Sequence, residues 1–144
     1  MQEPMSYQME NGRIRTFART DLGCQYESYS DDDGMTWTDP QPNRHFTAPC
    51  SPMVIKRSGK YTVAVFNPIP NYLGRPLGNG CTDREPMVVW TSEDDGKTFT
   101  HLRMLDDRVG CQYPEIFDGG DYILVGYQFI NEGVIAKLSH GDLL

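Results

Sequence analysis

The stretch Ser30-Asp31-Asp32-Asp33-Gly34-Met35-Thr36-Trp37 returns as Ser92-Glu93-Asp94-Asp95-Gly96-Lys97-Thr98-Phe99, 62 residues further on. Serine, aspartate, glycine, threonine and an aromatic residue keep their offsets in both copies. Strand-forming residues precede each serine (25–29 and 87–91), and threonine with the aromatic leads back toward extended chain. Between them, Asp-x-Gly is turn chemistry: glycine takes positive φ without strain, and aspartate accepts hydrogen bonds from nearby backbone amides. Each copy predicts a β-hairpin whose aromatic, Trp37 or Phe99, is largely buried as a plug between neighbouring sheets. Two copies in so short a chain predict an all-β repeat of antiparallel strands. A calcium-binding EF-hand loop is the rival reading of Asp-x-Asp-Gly. It fails because the twelfth loop position, which needs a bidentate glutamate, is Pro40 in one copy and Leu102 in the other.

Bulk properties narrow the function. The 144 residues suffice for one ordinary core, and 38% hydrophobic content with 11% aromatics suits a β-rich globular chain. A net charge of −7 argues against a general binder of nucleic acid or anionic membrane. A few placed arginines in an acidic shell suit a small anionic ligand instead. No apolar run reaches the length of a spanning helix, and no signal-peptide segment opens the chain, so the compartment stays open. Cys24, Cys50, Cys81 and Cys111 lack CxxC spacing and are read as reduced thiols, with no zinc site and no cofactor expected.

Along the chain, strands are predicted at 5–9, 14–18 and 25–30, with a fourth beginning at 36–38. A polar, proline-rich connection over 39–49 leads to strands at 53–56, 61–66, 87–91 and 98–103. Residues 67–83, rich in Pro, Gly and Asn, read as a long loop. Strands near 116–117, 122–128 and 134–138 form a third group with no fourth member. No segment holds a helical apolar period, and His45, His101 and His140 read as surface residues. An x-Pro pair opens each group: Glu3-Pro4, Ser51-Pro52 and Tyr113-Pro114. From that proline to the repeat glycine is 30 residues in the first group and 44 in the second, and the 14 extra residues fit the 67–83 loop. The units are about 1–48, 49–110 and 111–144.

In an up-and-down sheet, the start of strand one, the end of strand two and the start of strand three share one end. The repeated turn lies at the other. That end collects Glu3, Tyr113, Arg19 and Arg84: a carboxylate, a phenol and two guanidinium groups. Arg75 rivals Arg84, and Glu115 and Glu27 are alternative carboxylates.

S-x-D-x-G-x-T-[W/F] resembles the Asp-box of the sialidase-type β-propellers. Glu3-Pro4 with Asn11-Gly12 and Arg19-Thr20, residues 26–30 before the first box, Arg84-Glu85-Pro86-Met87 before the second, and Tyr113-Pro114 extend the resemblance over nearly the whole chain. It implies about three four-stranded blades of a six-bladed propeller, the C-terminal half of a ring. Three blades do not close a ring, which needs at least four. The remaining N-terminal half, or self-association, is the implied partner.

The resemblance makes Tyr113 the nucleophile, Glu3 its general base, and Arg19 and Arg84 two of three arginines gripping the carboxylate of an anionic sugar. Sialidases are tyrosine-nucleophile glycosidases. A neutral tyrosine avoids the repulsion that a substrate carboxylate would exert on an Asp or Glu nucleophile. Arginine's planar fork suits bidentate grip on that carboxylate. The family's first arginine and its acid/base aspartate belong to a blade outside these residues, so this stretch alone is expected to be inactive. Tyr113-Pro114-Glu115 also departs from the family's more usual Tyr-Ser. A non-catalytic propeller module binding glycans or proteins, or a propeller enzyme acting on another polysaccharide, are the alternatives.

Overall fold

The computed structural model describes residues 1–70 and 84–144. Arg75 and Cys81, and most of the 67–83 loop, lie outside the described residues. Eleven strands among those described form three antiparallel sheets. The first runs β1 (Gln2–Gln8), β2 (Ile14–Arg19), β3 (Cys24–Ser30), β4 (Gln41–Thr47), and the second β5 (Val54–Ser58), β6 (Tyr61–Phe66), β7 (Met87–Ser92), β8 (His101–Asp106). The third holds β9 (Cys111–Asp118), β10 (Tyr122–Phe129) and β11 (Glu132–Ser139). The first strands β1, β5 and β9 lie side by side, so the sheets fan from a common inner edge as blades do.

Alternation along the strands decides which residues pack between sheets. Tyr7, Phe17 and Phe46 of the first sheet meet Ile55, Ala64, Phe66 and Val88 of the second. On its other face, the second sheet's Val54, Val63, Val65 and Val89 meet Ile116, Ile123 and Val125 of the third. The middle sheet is buried on both faces, which explains why β6 is buried along its whole length and apolar except for Thr62.

The two boxes repeat atom for atom. Ser30 Oγ donates to Asp32 at 2.8 Å and accepts from Gly34 N at 2.8 Å; Ser92, Asp94 and Gly96 reproduce both distances. Thr36 gives Asp32 its amide at 2.8 Å and its hydroxyl at 2.6 Å, and Thr98 does the same to Asp94. A Cβ on Gly96 would stand 2.2 Å from the Tyr7 hydroxyl, so the second box abuts the first sheet only as glycine. These donors hold the Asp32 and Asp94 carboxyls down at about 2. A depressed carboxyl adds stability above its unfolded value of 3.8, and that stability disappears as pH falls toward 2. Asp94→Asn is therefore expected to lower the melting temperature at pH 6 and to flatten its decline between pH 4 and about 2. A melting profile over pH parallel to wild type would show that the turn carboxylate adds no pH-dependent stability.

Four expectations are corrected. Residues 36–38 form no strand, and the proline-rich 39–49 segment contains β4, an edge strand in which Pro42 opposes Tyr26 without needing to donate on its free side. Glu3 and Tyr113 lie inside β1 and β9 rather than before them, because both strands begin earlier. Trp37 is 44% exposed, whereas its counterpart Phe99 packs at 5.0 Å from Phe46 and 5.5 Å from Trp90. Phe99 has the first sheet to pack on; no described sheet covers Trp37, whose Nε1 donates to Gly34 O at 3.0 Å. His140 is half-buried: it opens a 3₁₀ turn (His140–Leu143), pairs through Nε2 with Ser58 Oγ at 2.8 Å and meets Tyr61 edge-on.

Candidate functional site

The register sets the two ends of each sheet apart. Ile14 of β2 opposes Ser30 at the box end, and Arg19 closes the same strand at the other. Arg84 precedes β7 and Tyr113 stands near the start of β9, so both lie at Arg19's end of their sheets.

Glu3, Pro4, Pro52, Tyr113, Pro114 and Glu115 line one concavity of about 290 Å³. Glu3 and Tyr113 thus share a rim although 110 residues separate them. Both adopt left-handed backbone, with φ of 50° and 52°, in positions where neither is glycine. A side-chain-bearing residue pays about 1–2 kcal/mol for that conformation. The other non-glycine residues with positive φ, Asp33, Asp95 and Ile130, sit in tight turns between strands. Among the described residues, Glu3 and Tyr113 alone have this backbone inside strands, each where the ladder shifts register, and each immediately precedes the proline of its x-Pro pair. Backbone strain of this kind gathers at functional sites.

An arginine attends each of them. Arg19 Nη1 lies 2.9 Å from Glu3 Oε2, while Nε donates to Gln2 Oε1 at 3.0 Å. Arg84 is 6% exposed, and its guanidinium stands 5.3 Å from the centre of the Tyr113 ring. Arg84 Nη1 donates to Gln112 Oε1 at 2.6 Å and Nη2 to the Cys50 carbonyl at 3.1 Å, while the buried Nε has no hydrogen-bond acceptor among the described residues. Tyr113 is half exposed, leaving its phenol reachable from solvent. Among the described residues, no hydrogen bond joins Glu3 to Tyr113, since the Glu3 carboxylate is turned to Arg19.

Of the alternative carboxylates, Glu115 shares the concavity and pairs with Lys56 at 3.6 Å. Glu27 does not: its Oε2 accepts from Arg15 at 2.6 and 2.9 Å and from Asn43 at 3.1 Å. Two polar residues escaped the sequence reading, Gln2 and Gln112, each of which orients one of the arginines. Glutamine marks no motif, and only its place one residue before Glu3 or Tyr113 gave a hint.

The model of the BNR repeat-like domain matches residues 2–127. A search of curated proteins gave no significant match. Among solved structures, the intramolecular trans-sialidase of Ruminococcus gnavus, in complex with oseltamivir carboxylate, superposes with a TM-score of 0.70 at 17% identity. The alignment covers 98% of this chain and 33% of that one. The leech intramolecular trans-sialidase, complexed with 2,7-anhydro-Neu5Ac, gives 0.69 at 18% identity, over 98% of this chain and 24% of the other. Trypanosoma rangeli sialidase gives 0.59 at 14%, over 97% and 23%. The chain therefore spans a third or less of these three structures, and at such identities the likeness is one of fold. The family match covers most of the chain and agrees with that fold: the chain belongs to the BNR repeat-like domain family and has the blade architecture of the sialidase propellers.

Proposed function

We propose that this chain carries part of a glycosidase site for anionic sugars of the sialic acid type, with Tyr113 as nucleophile and Glu3 as its general base. The observation that carries this reading is the pair of strained residues, Glu3 and Tyr113, on one concavity with an arginine beside each. In the reaction, the Tyr113 hydroxyl oxygen attacks the anomeric carbon and its proton passes to the Glu3 carboxylate. The bond from that carbon to the leaving oxygen breaks, and the leaving oxygen takes a proton from an acid that these residues do not supply. Water then attacks the same carbon, giving its proton to the base form of that acid, and the tyrosine oxygen leaves and takes its proton back from Glu3, giving overall retention. Arg19 and Arg84 hold the sugar carboxylate. Arg84 Nη1 and Nη2 each hold one acceptor and keep a second N–H for the sugar carboxylate.

Without that acid, the 144-residue chain is expected to bind a free sialic acid weakly and to hydrolyse no fluorogenic sialoside. Binding is measured by proton saturation-transfer on N-acetylneuraminic acid, comparing wild type with Arg19→Ala. Arg19→Ala should reduce the signal several-fold while the circular dichroism spectrum stays unchanged. Equal signals from both proteins would remove Arg19 from the site, and measurable turnover would refute the need for a further acid.

A further inference from the structure

We propose that Gln128 is a positioning residue of the site: acting through Gln112, it holds Arg84 in the orientation that offers its remaining N–H groups to a sugar carboxylate. What Arg84 grips rests on the glycosidase reading; how it is held does not. Three hydrogen bonds run in sequence from the turn between β10 and β11 to the site. Gln128 Nε2 donates to the Ile130 carbonyl at 2.8 Å, and Gln112 Nε2 donates to Gln128 Oε1 at 3.3 Å. Arg84 Nη1 then donates to Gln112 Oε1 at 2.6 Å. Register brings the two glutamines together: Gln112 and Gln128 are direct partners across β9 and β10, at the edge of the shift that takes up Tyr113. The anchor is a turn residue with φ of 52°, a conformation that a β-branched side chain rarely adopts.

A carboxamide shows an acceptor on one side and a donor on the other, and it can be turned over, so a glutamine alone does not choose which it presents. Here both ends of the sequence choose. The Ile130 carbonyl only accepts, so Gln128 points its NH2 at the turn and leaves its oxygen for Gln112. The Arg84 guanidinium only donates, so Gln112 gives Arg84 its oxygen and leaves its NH2 for Gln128. The two requirements meet at one contact, and there a donor faces an acceptor. Turned over, Gln112 would set NH2 against guanidinium on one side and oxygen against oxygen on the other. Gln112 is 6% exposed, where a mispaired amide costs far more than in water. Gln128 thereby fixes the sense of a buried amide, and with it an arginine two hydrogen bonds away.

For Arg84 the consequence is a fixed plane. Its Nη1 is held from the third sheet by Gln112, and its Nη2 from the segment before β5 by the Cys50 carbonyl. With both acceptors in place, the guanidinium stands at 5.3 Å from the centre of the Tyr113 ring. Without the Gln112 oxygen, one acceptor remains, and the group can rotate about it. A merely structural role does not account for Gln128. Alternation along β10 sends Ile123, Val125 and Tyr127 into the core, whereas Gln128 is exposed and packs on none of it. Its substitution should therefore move Arg84 and leave the fold's stability alone.

Arg84 itself reports the outcome, through the heteronuclear NOE of its Nε–H group in the 144-residue chain. In wild type the value should match the backbone amides of β7. Gln128→Met, with neither donor nor acceptor, should lower it toward that of the exposed Arg44. Gln128→Glu keeps an acceptor for Gln112 Nε2 and should restore the wild-type value. Both variants should melt with wild type. Saturation transfer to N-acetylneuraminic acid should fall several-fold in Gln128→Met and return in Gln128→Glu. An Arg84 signal unchanged in Gln128→Met, or lowered equally by Gln128→Glu, would overturn the proposal. So would a melting temperature that falls in step with the NOE, which would make Gln128 a stability residue, or sugar signals that stay equal while the NOE is lost. If the NOE pattern held and wild type gave no sugar signal, the positioning would stand and the sialic acid reading would fail.

Discussion

Phe46→Ala is expected to cost about 3–5 kcal/mol, the range for removing a fully buried phenylalanine. Phe46 is 1% exposed, and its ring makes edge contacts with Phe17 and Phe66 at 5.2 Å, Trp90 at 5.4 Å and Phe99 at 5.0 Å. Two of these rings lie in the strands of the second sheet and one in its box, so a single side chain ties the first two sheets together. Each aromatic pair adds about 0.5–1.5 kcal/mol beyond simple burial, and an alanine leaves a cavity that two sheets cannot easily collapse. Against a total stability of about 5–15 kcal/mol, the loss is about a fifth or more. Urea unfolding followed by tryptophan fluorescence, with Trp90 as the buried reporter, measures it, with Phe46→Leu as a milder control. A midpoint shifted by the equivalent of less than about 1 kcal/mol would show that the two sheets are held by other contacts.

That same residue shows where the sequence stops being readable. The boxes, the x-Pro matches and most strands are local patterns, and their places in the sheets follow from alternation and turn chemistry alone. Phe46 lies in a segment whose prolines and polar residues suggest a connection. It becomes strand because β3 offers it a paired edge, which no local pattern reveals. Trp37 fails in the opposite sense: its motif equals that of Phe99, but burial depends on whether a sheet stands beyond it. Contacts between sheets were equally illegible. Arg15 reaches the Gly96 carbonyl at 2.6 Å while Glu27 pairs with it at 2.6 Å, and burial pushes the neighbouring Tyr7 phenol up. The site stood between these cases. The types and the end of the sheets were legible for Glu3, Arg19, Arg84 and Tyr113. The strained backbone of Glu3 and Tyr113 and the glutamines that hold the arginines needed coordinates.

In a complete propeller that includes this segment, Tyr113→Phe is expected to lower turnover of a sialoside by roughly 10³-fold or more, as for loss of an activated nucleophile. Affinity for a non-hydrolysable analogue should change less than about threefold. The two readouts separate because phenylalanine keeps the ring on which the Arg84 guanidinium rests at 5.3 Å and removes only the attacking oxygen. The left-handed backbone at position 113 is a property of the chain around it, so the variant should hold the same strained φ. Arg19→Ala should behave differently, weakening analogue binding together with turnover, because Arg19 lies 2.9 Å from Glu3 and faces the same rim. Glu3→Gln supplies the third comparison: it keeps a hydrogen-bonding group beside Arg19 but cannot take the phenol proton, so kcat should fall with KM nearly constant. Tyr113→Phe turnover within tenfold of wild type would transfer the nucleophile's role to another group. If Tyr113→Phe instead lost binding and turnover in equal measure, the phenol would be a substrate-holding residue and the covalent route would be wrong.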